Sequence, residues 1–247
     1  MNKPLSDNKK EASEKSMETE HFKIHYLEKD EACLKDLSEG FEAAYAKVTS
    51  DLDCELDYKA EVTVCPDLDS LHRAIGYARG TGQDDYISAA TIGKRIYIVS
   101  PLNPGPARDY EHMVRSSTFH EFTHVVINKI ASSDTWPTHV PRWLNEGIAS
   151  YEGGPPMPPE ILKMMVSKRV QAGQIPSFAN LSSYGQDFIT GGGYFFTLPA
   201  GEFLVERYGF GKVKQLLLAP GDYEGIFGKP EQEIWTEWVE YLKNKYK

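Results

Sequence analysis

The chain is poor in the residues and runs that mark several common protein classes. It holds three cysteines in 247 residues, Cys33, Cys54 and Cys65. The count is odd and includes no Cys-x-x-Cys pair, which argues against a disulfide framework and against a cysteine-built zinc knot. Cys54 and Cys65 can pair if the protein is secreted; otherwise all three read as isolated buried thiols. No stretch approaches the ~18 apolar residues a membrane-spanning helix needs. Positive charge is scarce: 27 Lys and Arg against 36 Asp and Glu leave a net charge of −9 and a pI near 5.3. Phosphate backbones are bound by basic faces, so nucleic acid is not expected as the main partner. The opening "MNKPLSDNKKEASEKSMETE" lacks the apolar centre of a signal peptide and reads, over residues 1–20, as a disordered, solvated tail. On the chain as given this implies the cytoplasm; a removed leader would imply an extracytoplasmic place. There is no internal repeat. The glycine cluster "TGGGYF" (190–195) lacks the Lys-Ser/Thr of a phosphate loop and reads as a hinge or tight turn.

What is present is ordered along the chain. "HFKIHYL" (21–27) alternates as a strand does, and residues 30–50 carry apolar side chains at helical spacing. "AEVTVC" (60–65) is a second strand, stopped by Pro66, and a short helix is expected over 68–75. "YISAATIG" and "RIYIVSP" are separated by little more than Gly93 and Lys94, which predicts a hairpin. From Asp109 onward the patterns are helical: 109–131, 141–152, 158–171, 194–208, 211–218 and 231–245. Strands first and helices after predict an α+β fold, a small N-terminal mixed sheet with helices followed by a mostly helical body. The expected organisation is one domain over 21–247, with the sheet in 21–131 and the helical part in 132–247.

Within the helix expected at 109–131 stands His120-Glu121-Phe122-Thr123-His124. Phe119, Phe122, Val126 and Ile130 form one apolar stripe, and Val125 and Ile127 leave little polar surface, so the helix is buried almost all round. Residues four apart differ by about 40° in projection, so His120 and His124 point the same way and can share one ion. Glu121 lies about 100° round from His120, placed to reach a water on the metal without being a ligand. Chance yields such a pentapeptide in about one of sixty chains of this composition. Histidines on a buried helix nevertheless need partners, because burying polar groups unpaired costs several kcal/mol. A zinc ion is one such partner. His112 sits about 80° off the His120 face and is not expected to be a ligand.

A third ligand can come from a following helix. "PRWLNEGIASYEGG" (141–154) starts with Pro141, which suits a first helical turn, and ends in glycine and proline; Glu146 falls in its second turn, 22 residues after His124. Ile127 and Ile130 stand where a metzincin would carry glycine and histidine, which excludes that class. His139, in the loop before this helix, is a competing ligand, a transition-state donor or a surface histidine. "FHEFTHVV", "PRWLNEGIASYEGG", "YFFTLPAGEFLVERYGFGKVKQLLL" and "FGKPEQEIWTEWVEYL" together resemble the gluzincin metallopeptidases, most closely the small peptidase MA-like family, over roughly residues 60–241.

That resemblance implies a zincin-like fold with the active-site cleft between the sheet and the helical part. It implies Zn2+ held by His120, His124 and Glu146, with Glu121 as general base. The oxyanion donor should then be a Tyr or His from the helical half: Tyr194 first, with His139 and Tyr151 behind it. An extended substrate should run along an edge strand, for which Ser88, Ala89 and Ala90 are the candidates. Thermolysin-like members orient a zinc histidine with an aspartate four residues after the glutamate ligand. Ser150 stands there instead, so the role passes to Ser150, Glu152 or a backbone carbonyl. The Gly-x-Met-Glu-Asn run of related aminopeptidases is absent, which favours endopeptidase over exopeptidase action. The implied function is hydrolysis of peptide bonds in a peptide or protein substrate. Two other readings stand beside it: a catalytically silent metal-binding module that holds peptides or a partner, and a helical interaction protein whose histidines are satisfied core residues.

Overall fold

The computed structural model describes residues 14–76, 87–103, 109–134, 138–155, 157–184, 188 and 192–247. Among the described residues, five strands form one mixed sheet in the order β1-β2-β3-β5-β4. They are β1 (Glu14–Glu18), β2 (Phe22–Leu27), β3 (Ala60–Cys65), β4 (Ala89–Ile92) and β5 (Arg95–Val99). β1 and β2 pair antiparallel, β2-β3 and β3-β5 parallel, and β4 antiparallel to β5. The sheet thus begins inside the stretch expected to be a disordered tail. "EKSME" carries no apolar alternation to reveal this, and its order comes from pairing with β2, whose every second residue is buried. Tyr86 of the expected hairpin, residues 1–13 of the expected tail and Gly191 of the glycine cluster lie outside the described residues.

The helices are α1 (Leu34–Asp51), α2 (Leu68–Ala74), α3 (Tyr110–Ala131), α4 (Arg142–Gly153), α5 (Pro159–Gln171), α6 (Phe178–Ser182), α7 (Gly193–Leu218), α8 (Tyr223–Phe227) and α9 (Glu231–Lys245). A 3-10 turn over Glu28–Cys33 delays the start of α1 relative to its apolar pattern. α7 runs through Pro199 and breaks at Gly209, whose φ of 76° is a left-handed value, so the two helical patterns at 194–208 and 211–218 meet at a kink. The short α6 and α8 were not expected from periodicity, since five residues span little more than one turn. The result is a mixed α/β structure, and no described helix is long and apolar enough to cross a membrane.

α1 and α3 pack beside the sheet, while α4 packs between α3 and α7. One contiguous set of buried side chains runs from Phe22 to Tyr246. Its aromatic centre near the sheet joins Phe22, Phe41, Tyr45 and Phe122, with the Phe122 ring 5.2 Å from Phe22 and 5.6 Å from Tyr45. Cys33, Cys54 and Cys65 are free thiols; burial pushes Cys33 and Cys65 up to about 11, whereas Cys54 is only half-buried.

Candidate metal centre

The local chemistry of α3 sets two of the donors. Asp109 caps its first turn by accepting from the His112 backbone N–H at 2.7 Å. Phe122, Val125 and Val126 are fully buried and lock the helix rotation. With that rotation set, His120 and His124 lie one above the other, their Nε2 atoms 3.2 Å apart.

The third donor comes from α4. Trp143 stacks on Phe178 with ring centroids 4.3 Å apart, and Ile148 and Ala149 are buried, which turns Glu146 toward α3. Two glycines allow the close approach. A Cβ on Gly147 would lie 2.8 Å from the Thr197 carbonyl of α7, and one on Gly153 would lie 2.8 Å from both Cβ and N of His120. The Glu146 Oε2 is 3.5 Å from His120 Nε2, and donor atoms of His120, His124 and Glu146 all fall within 4.8 Å of one another.

Two of the three spacings match those around a tetrahedral ion. Ligands about 2.05 Å from a tetrahedral zinc are separated from each other by about 3.3 Å. The two shortest edges here, 3.2 and 3.5 Å, bracket that value. The electrostatics favour positive charge at the centre. Burial works against a charge on His120, yet its hydrogen bond to Glu146 and the nearby Glu121 raise its pKa above the usual value. Burial likewise opposes ionisation of Glu146, but His120, His124 and Arg142 outweigh it and hold the carboxyl at about 2. A proton on His120 and a divalent ion are two ways to fill the same need.

The contacts that orient the histidines differ from the expected pair. His124 Nδ1 meets Asn145 Oδ1 at 2.8 Å; the amide oxygen only accepts, so Nδ1 carries the proton and Nε2 keeps its lone pair for the centre. The Ala149 backbone carbonyl lies where it favours a charged His120 ring. Glu152 faces elsewhere, its buried carboxylate accepting from Lys47 of α1, and the Ser150 backbone carbonyl accepts from the Gly154 N–H at the helix end. The Asn145 amide in turn reaches the Tyr184 hydroxyl at 3.5 Å, and Tyr184 donates to the Val140 carbonyl at 3.0 Å. Burial pushes the Tyr184 phenol up to about 12.

Glu121 is buried and is not one of the three converging donors. Its Oε2 accepts from the Thr91 hydroxyl of β4 at 2.8 Å. Tyr194 stands in the first turn of α7, after Gly192 in left-handed conformation (φ 74°). It is not a core residue: 41% of it is exposed, its ring packs edge-on against Phe188, and its hydroxyl accepts from Arg142 Nη2 at 2.7 Å. Arg142 is itself buried one turn before Glu146, with its guanidinium 4.0 Å over the Phe188 ring. Tyr151 packs edge-on against Phe210, and His139 is exposed in its loop. Neither His139 nor His112 joins the group of donors.

β4 is an outer strand, as expected, but the three candidate residues are not equivalent. The Ser88 carbonyl accepts from the Val99 N–H at 2.8 Å, so it is already used by β5. Antiparallel alternation then turns the main-chain groups of Ala90 and Ile92 toward β5, and those of Ala89 and Thr91 away from it. Sequence reasoning therefore missed Thr91, Asn145, Arg142 and Tyr184. For Asn145 and Arg142 a signal existed: an amide and a guanidinium inside a buried helix need partners. For Thr91 and Tyr184 there was none, since both contacts join segments far apart in the chain. Compared with models of known protein families and with curated protein sequences, the chain matches none.

Proposed function

We propose that this chain is a zinc-dependent peptidase of zincin-like build, hydrolysing internal peptide bonds of a peptide or protein substrate, and that it is related to the gluzincins it resembles. The observation that carries the reading is a division of labour among neighbouring side chains. Three donors converge within 4.8 Å of one another, while the carboxylate of Glu121, next to one of them in sequence, is held apart by Thr91. A module that only bound metal would have no physical use for such a separately held base.

His120, His124 and Glu146 would hold Zn2+, which would supply Lewis acidity to polarise a substrate carbonyl and bring the pKa of a water toward 7. Glu121 takes the proton of the attacking water and hands it to the leaving amine. Tyr194, with its exposed phenol beside Arg142, donates to the oxyanion. An extended substrate lies along the side of β4 away from β5, between the sheet and the helical part, using the main-chain groups of Ala89 and Thr91.

The test is metal analysis of protein purified without added zinc, joined to cleavage of unfolded casein. Near-stoichiometric zinc and loss of cleavage on chelation, reversed by zinc, are expected. Glu121→Gln should keep the zinc and lose turnover. A Glu121→Gln protein that loses its metal, or that cleaves at the wild-type rate, refutes the assignment, and zinc binding without any turnover would leave a silent binding module.

A further inference from the structure

Thr91 faces two ways. Its main-chain N–H and C=O point away from β5, because its neighbours Ala90 and Ile92 are the residues turned toward that strand. Its side chain points into the protein, where the residue is buried against α3. There the hydroxyl lies 2.8 Å from Glu121 Oε2 and 3.0 Å from the Glu121 backbone carbonyl. Both neighbours are acceptors, so the single hydroxyl proton is committed to Glu121 whichever of the two it favours.

We infer that Thr91 is a positioning residue that couples docking of an extended peptide on β4 to alignment of the Glu121 carboxylate. The inference rests on the reading of Glu121 as the general base. The physical need is plain. A glutamate side chain has three rotatable bonds, and a base must be held within about 0.5 Å and 10–20° of its working geometry. Glu121 is not anchored by the metal donors, and its carboxylate takes its hydrogen bond from Thr91. Threonine also suits the place: its β-branched side chain is stiff at χ1 and favoured in strands, so the hydroxyl is presented with little freedom. A peptide strand that pairs with the Thr91 main chain therefore stiffens the same residue that holds the base, and the scissile bond and the carboxylate are referred to one point of the backbone.

The experiment compares wild type, Thr91→Val and Thr91→Ser. Valine keeps shape and strand propensity but has no hydroxyl, while serine keeps the hydroxyl and loses a methyl. On zinc-loaded protein with unfolded casein, Thr91→Val should lower kcat by about 10- to 100-fold with KM within about threefold, and Thr91→Ser should recover most of kcat. On metal-free protein at one fixed pH, the carbon-13 signal of the Glu121 carboxylate should move in Thr91→Val and return in Thr91→Ser. In zinc-loaded Glu121→Gln, added unfolded casein should slow hydrogen exchange at the Ala89 and Thr91 amides, with Ala90 already protected by β5. Wild-type kcat in Thr91→Val, a Thr91→Ser variant as slow as Thr91→Val, or an unmoved Glu121 signal each overturns the inference. If zinc-loaded wild type cleaves no casein, the peptidase reading fails by itself, and the coupling falls with it. In that case a moved Glu121 signal leaves Thr91 only as an anchor of that side chain.

Discussion

Replacing Gly153 with alanine tests whether helix contact sets the geometry of the centre. The new Cβ would stand 2.8 Å from Cβ and N of His120. Carbon atoms settle at about 3.5–4.0 Å, so α3 and α4 must separate locally by roughly 0.7 Å. Such overpacking costs about 1–3 kcal/mol. If α4 moves as a rigid body, the Glu146 carboxylate is carried off by a similar distance. If it pivots about the Gly147 contact with α7, His120 is pushed instead. Either way one edge of the triad changes by more than the ~0.2 Å that metal–ligand distances tolerate. Zinc affinity, measured by competition with a chromophoric chelator, should fall about 10- to 100-fold, and the metal-free protein should melt at lower temperature. Gly211→Ala is the control: it lies in α7, with no atom within 4 Å of the added Cβ, and should be neutral or stabilising by up to about 1 kcal/mol. A Gly153→Ala protein with unchanged zinc affinity would show that the His120–Gly153 contact does not set the triad.

Three further outcomes follow from the same geometry. Asn145→Leu removes the acceptor for His124 Nδ1 and should weaken zinc binding by about 10- to 100-fold while Glu121 remains in place; an unchanged affinity in chelator competition would remove Asn145 from the centre. Tyr194→Phe should lower turnover by about 10²–10³-fold if the phenol is the oxyanion donor. It also leaves Arg142 Nη2 without its acceptor, so about 1–3 kcal/mol of stability should go too; lost stability with normal turnover would make Tyr194 an anchor for Arg142 alone. In metal-free protein the His120–Glu146 pair imposes a pH window. The depressed Glu146 pKa contributes stability that is complete above about 4.5 and is lost as pH falls toward about 2, whereas the raised His120 pKa contributes below about 6.5 and is lost as pH rises above it. The stability gap between wild type and Glu146→Gln in urea should therefore peak between about pH 4.5 and 6.5, at up to roughly 3 kcal/mol, and a gap that stays flat from pH 3 to 8 contradicts the pair.

The amino-acid sequence by itself determined what repeats locally. Two histidines four apart must share a helix face, and a helix apolar nearly all round must be buried; α3 shows both. The hairpin around Gly93 and the halt of α4 at Gly153-Gly154 were legible because turn and stop chemistry is written in neighbouring residues. The convergence of Glu146 on the histidines was implied by the family resemblance, although its distances were not. Only tertiary packing decided the rest. β1 is a strand because β2 offers it hydrogen bonds, not because "EKSME" resembles one. Asn145 rather than Ser150 or Glu152 orients His124, because the rotation of α4, set by Trp143 on Phe178 and by glycines at both helix contacts, aims that side chain at α3. Thr91 meets Glu121 across 30 residues of chain. Contacts of that kind depend on the relative placement of a sheet edge and a helix, which the burial of the whole core sets and which no window of sequence contains.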